Sequence, residues 1–143
     1  MRKFNAYFTI VILSTFIFVS GCASTQMKAL DATESQVQIR SMQTRAFDSS
    51  DKKLMMQTVI STMQDLDFVI DKADLMLGSV TGTKFLGYAS VVMSVTVRPR
   101  GETQLLVRAS AQYGIKQVDD AETYQDFFNA LEKSLFLTAH QVD

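Results

Sequence analysis

Several residue types are nearly absent from this chain of 143 residues, and each shortage excludes a class of site. There is one cysteine, one histidine and one proline, and there is no tryptophan. A single cysteine forms no internal disulfide, and one cysteine with one histidine (His140) is too few for a zinc site. The formal net charge is −1, so the chain has no basic excess with which to hold nucleic acid.

The first 21 residues have the three parts of a secretory signal peptide. Two cations, Arg2 and Lys3, precede an apolar run over residues 6–19, and two small residues follow it. This run is shorter than the roughly 20 residues that a helix needs to span a bilayer. We therefore predict that residues 1–21 are a removable leader rather than a permanent membrane helix.

The only cysteine stands directly behind this leader, in the stretch Val19-Ser20-Gly21-Cys22. The stretch resembles the lipobox of bacterial lipoproteins, in which an aliphatic residue and two small residues precede a cysteine. The resemblance implies that the Cys22 thiol carries a diacylglyceryl group, that signal peptidase cuts between Gly21 and Cys22, and that the new amine is acylated, as with palmitate. The alternative is a buried cysteine behind an ordinary signal peptide. Two or three acyl chains on one residue would make release from a membrane very slow.

Residues 22–35 are small, polar and without a hydrophobic period, so we predict a lipidated N-terminus followed by a tether. A short fraying helix is the alternative. Ala23 follows the cysteine at a position where lipoproteins kept in the inner membrane often carry Asp. The resemblance therefore implies the outer membrane, with the domain facing the periplasm. Residues 1–21 hold two of the 14 basic residues and none of the 15 acidic ones, so the remaining chain has a formal net charge of −3.

Residues 36–143 have the size of one domain, and their hydrophobic pattern predicts its first elements. Alternation of Val37 and Ile39 with polar residues predicts a first strand that ends at residue 47. Asp48 is then the expected cap of a helix, with Asp51 in its first turn. The apolar residues of this helix recur at i, i+3, i+4 and i+7. They are Met56, Val59, Ile60, Met63 and Leu66.

The second half predicts a sheet and a closing helix. A short strand at 68–70, a polar turn at 71–74 and an extended stretch at 77–84 come first. Two longer alternating strands follow, joined by a hairpin loop at 98–102 that contains Pro99 and Gly101. Their inward residues are Val91, Met93, Val95, Val97, Leu105, Val107, Ala109, Ala111 and Tyr113. Asp119 and Glu122 resemble a capping box, and the last helix buries Tyr124, Phe127, Phe128, Leu131 and Leu135.

The predicted order is β-α-β-β-β-β-α. Two amphipathic helices are expected on one face of a mostly antiparallel sheet, which is an α+β two-layer fold. The sequence offers little chemistry to place on it. Four aspartates at 65, 67, 71 and 74 lack the glycine and distal glutamate of an EF-hand loop, and the methionines at 55, 56 and 63 have the spacing of core residues. We therefore predict no enzyme, no metal and no cofactor.

One stretch resembles a known family. Residues 39–51, IRSMQTRAFDSSD, and 63–84, MQDLDFVIDKADLMLGSVTGTK, resemble a group of small, largely uncharacterised proteobacterial lipoproteins. Their patterns are M-Q-T-R-x-F-D-[ST]-x-D and L-Q-D-x-x-F-x-[IV]. Asp67 stands where that family's glycine is expected. The element order is also similar to the helix-grip-like domains of a lipoprotein of the outer-membrane barrel-assembly machinery, a likeness of architecture that implies no function.

The sequence leaves three functions open. We favour a non-enzymatic outer-membrane lipoprotein that acts as an accessory or adaptor subunit of an envelope complex, anchored by Cys22 and in contact with a protein partner. The alternatives are a periplasmic carrier of a small hydrophobic ligand and a structural envelope lipoprotein. The helices leave one sheet face uncovered, where Leu106, Arg108 and Gln112 would meet a partner. Arg40, Gln43 and Arg45 could add contacts, although Gln43 and Arg45 could equally tie the end of the first strand to the first helix.

Overall fold

The computed structural model describes residues 36–140, with side chains as far as residue 138. The described residues from Gln38 onward belong to one compact unit. The described elements are helix α1, seen over residues 36–42, then β1 (Thr44–Phe47), α2 (Lys52–Asp65), β2 (Val69–Asp74), β3 (Ser79–Leu86), β4 (Ala89–Arg100), β5 (Gln104–Tyr113), β6 (Lys116–Gln117) and α3 (Ala121–His140). The described residues include no helix that is both long enough and apolar enough to cross a membrane.

The strands form one antiparallel sheet in the order β1-β5-β4-β3-β2, and β6 also pairs with β5. Helices α2 and α3 pack on one face of this sheet, and their buried side chains join those of the strands in a single core. The α+β class and the two helices on one face are therefore confirmed. Helix α1 is a third helix that the sequence did not predict.

The core matches the predicted inward faces closely. Met56, Val59 and Met63 of α2 are fully buried, and so are most predicted residues of the last helix and the long hairpin. These residues are Tyr124, Phe127, Phe128, Leu131, Met93, Val95, Val97, Leu105, Val107, Ala109 and Ala111. Val91 and Leu135 are partly buried against this core. Tyr113 differs from the prediction, because it is 52% exposed at the end of β5.

The predicted first strand over 36–47 is wrong in its first half. Residues 36–42 are helical, and only Thr44–Phe47 pair with β5. Two alternating residues, Val37 and Ile39, are a weak strand signal, whereas Gln, Arg and Met all favour helix. In the helix Met42 packs against the core, and the amide of Gln43 closes the last turn on the carbonyl of Ile39 at 3.1 Å.

The polar turn predicted at 71–74 is also wrong, because β2 runs through it to Asp74. A register shift between Ile70 and Lys72 accommodates Asp71 as a bulge residue. The true turn is the apolar stretch 75–78, in which the Asp74 carboxylate accepts a hydrogen bond from the Leu77 amide at 2.8 Å. Gly78 has φ +71°, and an added Cβ would lie 2.4 Å from the Val97 carbonyl oxygen, so this turn requires glycine.

Both helix caps lie away from their predicted residues. Asp51 rather than Asp48 caps α2, by accepting from the Leu54 amide at 2.9 Å. Asp48 instead accepts from the side chain of Gln104 at 2.6 Å. At α3 the cap is Asp120 rather than Asp119, since its carboxylate accepts from the Thr123 amide at 3.0 Å. In both cases several neighbouring polar residues could cap, and the sequence does not rank them.

The predicted hairpin loop at 98–102 is shorter than expected, because β4 continues through Arg98 and Pro99 to Arg100. Proline is tolerated here because β3 begins opposite Thr96. Beyond that point β4 has no β3 residue to receive an amide hydrogen bond. The turn itself centres on Gly101 with φ +66°.

Both outer strands of the sheet have features that oppose edge-to-edge pairing. Strand β1 has only four residues. Strand β2 carries a bulge and the charges of Asp71, Lys72 and Asp74. Short, bulged or charged edges are poor templates for another strand. The broad face opposite the helices is therefore the more accessible part of the sheet for a partner.

Candidate functional site

A groove of about 410 Å³ lies on the sheet face that α2 and α3 leave uncovered. Strands β1, β4 and β5 form its floor, and α1 contributes Arg40 to its wall. The lining residues are Arg40, Thr44, Ser94, Thr96, Arg98, Leu106, Arg108 and Ser110. The structure thus brings together three of the residues predicted for a partner surface, Arg40, Leu106 and Arg108.

Strand register explains why these side chains meet. Leu106 lies directly opposite Arg98, and Arg108 lies opposite Thr96 on one side and Thr44 on the other. Arg98 and Arg108 are therefore diagonal neighbours on one face, close enough for long side chains to interact. None of the acidic side chains in the described part of the chain lines the groove or forms an ion pair with its three arginines. The groove is a concentration of positive charge.

Hydroxyl groups surround this charge. Ser94 lies between Thr81 and Ser110 across three adjacent strands. The Ser94 and Thr81 hydroxyls are 3.2 Å apart, and the Ser110 hydroxyl donates to the Ser94 carbonyl at 3.5 Å. Because serine and threonine side chains are short, they project little from this part of the sheet and leave its surface flat. The groove can therefore accept a ligand that makes polar contacts and still reaches Leu106.

The side chain of a buried glutamine forms a hydrogen bond with one of the groove arginines, Arg108. Gln43 is fully buried between α1 and β1. Its side-chain oxygen accepts from the Arg108 guanidinium at 3.4 Å, and its side-chain nitrogen donates to the Tyr124 hydroxyl at 3.0 Å. The Tyr124 hydroxyl in turn donates to the Val118 carbonyl at 2.6 Å and accepts from the Ala111 amide at 3.2 Å. A continuous polar chain thus joins the groove to α3.

This polar chain also fills a gap at the side of β5. Along that side β5 pairs first with β1, as far as Arg108, and the Ala109 amide then donates to the Gln43 carbonyl at 2.9 Å. Pairing resumes at Gln112 with β6. The Tyr124 hydroxyl occupies the interval and satisfies the Ala111 amide, which neither strand reaches. Buried amides rarely lack a partner, so this hydroxyl is part of the sheet's own hydrogen bonding.

The other predicted contact residues lie elsewhere. Arg45 is on the helical face, where its guanidinium donates to Glu132 of α3 at 2.8 Å and stacks 4.9 Å from the ring centre of Phe128. Gln112 is exposed on the open face, opposite Val92, outside the groove lining. Arg98 belongs to the groove but was not predicted. The inward alternation from Val91 to Val97 would have placed it outward, had it been extended by one residue.

A second exposed surface lies at one end of the sheet. Phe85 and Leu86 are exposed at the end of β3, and Tyr88 is exposed in the turn that follows. Tyr113 at the end of β5 and Ile115 in the next turn are exposed at the same end, since Tyr113 pairs with Val91 near the start of β4. These side chains are all apolar or aromatic. We define Phe85, Leu86, Tyr88, Tyr113 and Ile115 as the apolar tip.

The four clustered aspartates take separate positions. Asp65 is exposed at the end of α2. Asp67 lies 3.5 Å from Lys84, Asp71 accepts from the Thr83 hydroxyl at 2.7 Å, and Asp74 caps its turn. The described residues contain no group of three or more His, Cys, Asp or Glu side chains that could hold a metal ion. The predicted lipid site, Cys22, and its cleavage partner Gly21 lie outside the described residues. No model of a known protein family matches the sequence, and no curated protein matches it either.

Proposed function

We propose that this chain is a non-enzymatic lipoprotein of the outer membrane, held there by acyl chains on Cys22, and that its α+β domain is an adaptor that binds a protein partner in the envelope. The observation that carries the adaptor role is the groove on the open sheet face. It combines an apolar residue, Leu106, with three arginines and a polar floor. Protein interfaces often have this composition, with arginine or apolar anchors inside a polar rim.

The packing of the domain favours an adaptor over a carrier. A carrier of a hydrophobic ligand needs volume between the helices and the sheet. In this domain large side chains with 0–1% exposure occupy that layer, among them Met55, Met63, Phe127 and Phe128. The open face, by contrast, is not covered by α2 or α3 and carries the groove. A spacer with no binding role would have no use for a groove of clustered arginines.

Site-specific photocrosslinking tests the adaptor role. We would place a benzoylphenylalanine at Leu106 of the full chain in its native membranes, and use Tyr88 of the apolar tip and Lys133 on the outer side of α3 as control positions. We expect a discrete crosslinked protein from Leu106 alone, whose purified form binds the chain. Equal crosslinking from all three positions, or none from Leu106, would contradict the proposed interface.

A double variant gives an independent check. Arg108→Glu combined with Leu106→Asp reverses one charge and removes the apolar contact, while both side chains remain on the exposed side of β5. We expect the far-ultraviolet circular dichroism of the folded domain to persist and the partner to be lost on co-purification. If the folded double variant retains the partner, the groove is not the interface.

The anchor is tested separately. Cys22→Ser removes the only thiol, so we expect no incorporation of radiolabelled palmitate and no release of the leader at the lipoprotein cleavage point. The protein would then remain unprocessed or become soluble. A serine variant that still has the mature size and sediments with the outer membrane would refute lipid attachment at this residue.

A further inference from the structure

The groove contains more positive charge than its surroundings neutralise. Arg98 and Arg108 are diagonal neighbours on adjacent strands, and Arg40 reaches the same space from α1. Like charges that share one groove repel each other, and an anion bound between them relieves this repulsion. Elsewhere in the described chain, cations near acids do form pairs, Arg45 with Glu132 and Lys84 with Asp67. The three groove arginines form no such pair.

The three cationic side chains of the groove are all arginines, although lysines are present on the exposed parts of α2, β2 and α3. This composition indicates which kind of anion the groove binds. A guanidinium presents a planar fork of donors that matches a carboxylate with two parallel hydrogen bonds, whereas an ammonium acts as a point charge. Gln43 holds the Arg108 guanidinium from beneath, so this fork is partly oriented before a ligand arrives.

The net charge of the whole chain further limits which kinds of anion can bind in the groove. The formal net charge is −1 for the full sequence and −3 without residues 1–21. A long polyanion or an anionic membrane surface would meet this negative field beyond the groove. A short acidic segment would meet only the three arginines. Leu106 on the groove floor provides an apolar contact beside the charges, which a protein segment with mixed side chains can use.

From this geometry we propose that the groove binds an acidic segment of the partner protein, with carboxylates between Arg40, Arg98 and Arg108 and an apolar side chain against Leu106. This inference rests on the proposed adaptor function and names the chemistry of its partner. Hydroxyls of Thr44 and Thr96 would donate to the same carboxylates. The contact is exposed, so salt would weaken it.

The test uses the full chain purified in a nonionic detergent and a dye-labelled oligoglutamate peptide, with binding followed by fluorescence anisotropy. The groove variant is Arg98→Gln with Arg108→Gln. The matched control is Lys53→Gln with Lys133→Gln, which removes the same charge from exposed positions on α2 and α3. We expect salt-sensitive binding to wild type, about a tenfold loss in the groove variant and less than about a twofold loss in the control.

A charge-retaining variant distinguishes the contribution of the guanidinium's hydrogen-bonding geometry from the contribution of its positive charge. In Arg108→Lys the net charge stays the same but the bidentate geometry is lost, so we expect binding between those of wild type and the groove variant. Thermal melts by circular dichroism verify that each variant folds. Should the double groove variant fail to fold, Arg98→Gln alone replaces it, because the Arg98 guanidinium makes no hydrogen bond to the described residues and the backbone pairing of Arg98 with Leu106 does not depend on the side chain.

Four results would overturn the inference. Wild type could fail to bind the peptide at low salt, or the control variant could lose as much affinity as the groove variant. A short-chain phosphatidylglycerol could displace the peptide at equal concentration, which would assign the groove to a phospholipid headgroup. Sedimentation could reveal self-association that the groove variant abolishes, which would assign it to a second copy of the chain.

The two proposals can fail separately. If Leu106 crosslinks to a partner through a segment without acidic residues, and the glutamine variants still bind that partner, the adaptor function stands and the acidic ligand is wrong. If the peptide binds as expected but Leu106 captures no protein in membranes, the chemistry of the groove stands and the adaptor function is wrong.

Discussion

Replacing Tyr124 by phenylalanine removes one hydroxyl and leaves the ring in place. The hydroxyl makes three contacts in a fully buried position: it accepts from Gln43 at 3.0 Å and from the Ala111 amide at 3.2 Å, and it donates to the Val118 carbonyl at 2.6 Å. A buried polar group left without a partner costs about 1–3 kcal/mol. Because Val118 is only half-buried, water can reach part of the vacated site. We therefore expect a loss of about 2–4 kcal/mol.

The assay is urea denaturation of the full chain, followed by circular dichroism. For a domain of this size, 1 kcal/mol corresponds to about 4–8 °C in melting temperature, so thermal melts should fall by about 10–30 °C. The control is Tyr113→Phe, since Tyr113 is half-exposed and its hydroxyl bonds to none of the described residues. We also expect weaker oligoglutamate binding in Tyr124→Phe, because Gln43 loses the partner that fixes it under Arg108. If Tyr124→Phe unfolds within about 0.5 kcal/mol of wild type, the hydroxyl does not complete the sheet.

Three further predictions concern single residues. The Thr62 hydroxyl is buried and bonds to none of the described residues, so Thr62→Val should raise the unfolding free energy by about 1 kcal/mol. Thr58→Val should bring no such gain in urea denaturation, because the Thr58 hydroxyl donates to the Leu54 carbonyl at 2.9 Å. Asp67 is the one described non-glycine residue with positive φ, +65°. Asp67→Gly should therefore stabilise by about 0.5–1 kcal/mol and Asp67→Ala should not, a ranking that thermal melts would verify or reverse. Hydrogen bonds from the amide and hydroxyl of Thr123 lower the pKa of Asp120. The stability that this cap contributes is present above the unfolded-state pKa and is lost as the pH falls through the folded-state value. The difference in melting temperature between wild type and Asp120→Ala should thus be largest at neutral pH and become smaller in acid, and a difference that does not change with pH would exclude the ionised carboxylate as its source.

The long regular elements could be predicted from the sequence because their patterns repeat many times. Alternation over the β4–β5 hairpin placed the core residues inward and Leu106 and Arg108 outward, and helical spacing identified the buried stripe of α3. The signal failed where it was short or ambiguous. Two alternating residues at 37 and 39 suggested a strand in what is a helix, and a run of charges at 71–74 resembled a turn although β2 continues through it.

The candidate site was only partly predictable for a related reason. Arg98 was missed because Pro99 and Gly101 suggest a loop, and only the register with β3 shows why β4 can continue past that point. The link from Arg108 through Gln43 to Tyr124 joins residues up to 81 positions apart, and no local pattern reports such a contact. Asp67, in contrast, is a position at which the sequence did carry a signal about the backbone. The family resemblance expects glycine there, and the backbone adopts the conformation that glycine favours.

Core residues and groove residues alternate along β4 and β5, and this alternation limits how the sequence can evolve. Successive residues of each strand belong alternately to the core and to the groove, so substitutions at groove positions can retune the ligand while the core stays the same. A single-residue insertion or deletion within either strand would exchange the two sets, turning Arg108 toward the helices and Val107 toward solvent. The fold itself therefore tolerates other amino acids at positions 94, 98, 106 and 108, where only ligand binding constrains them, whereas the number of residues between the turns that bound these strands must stay constant.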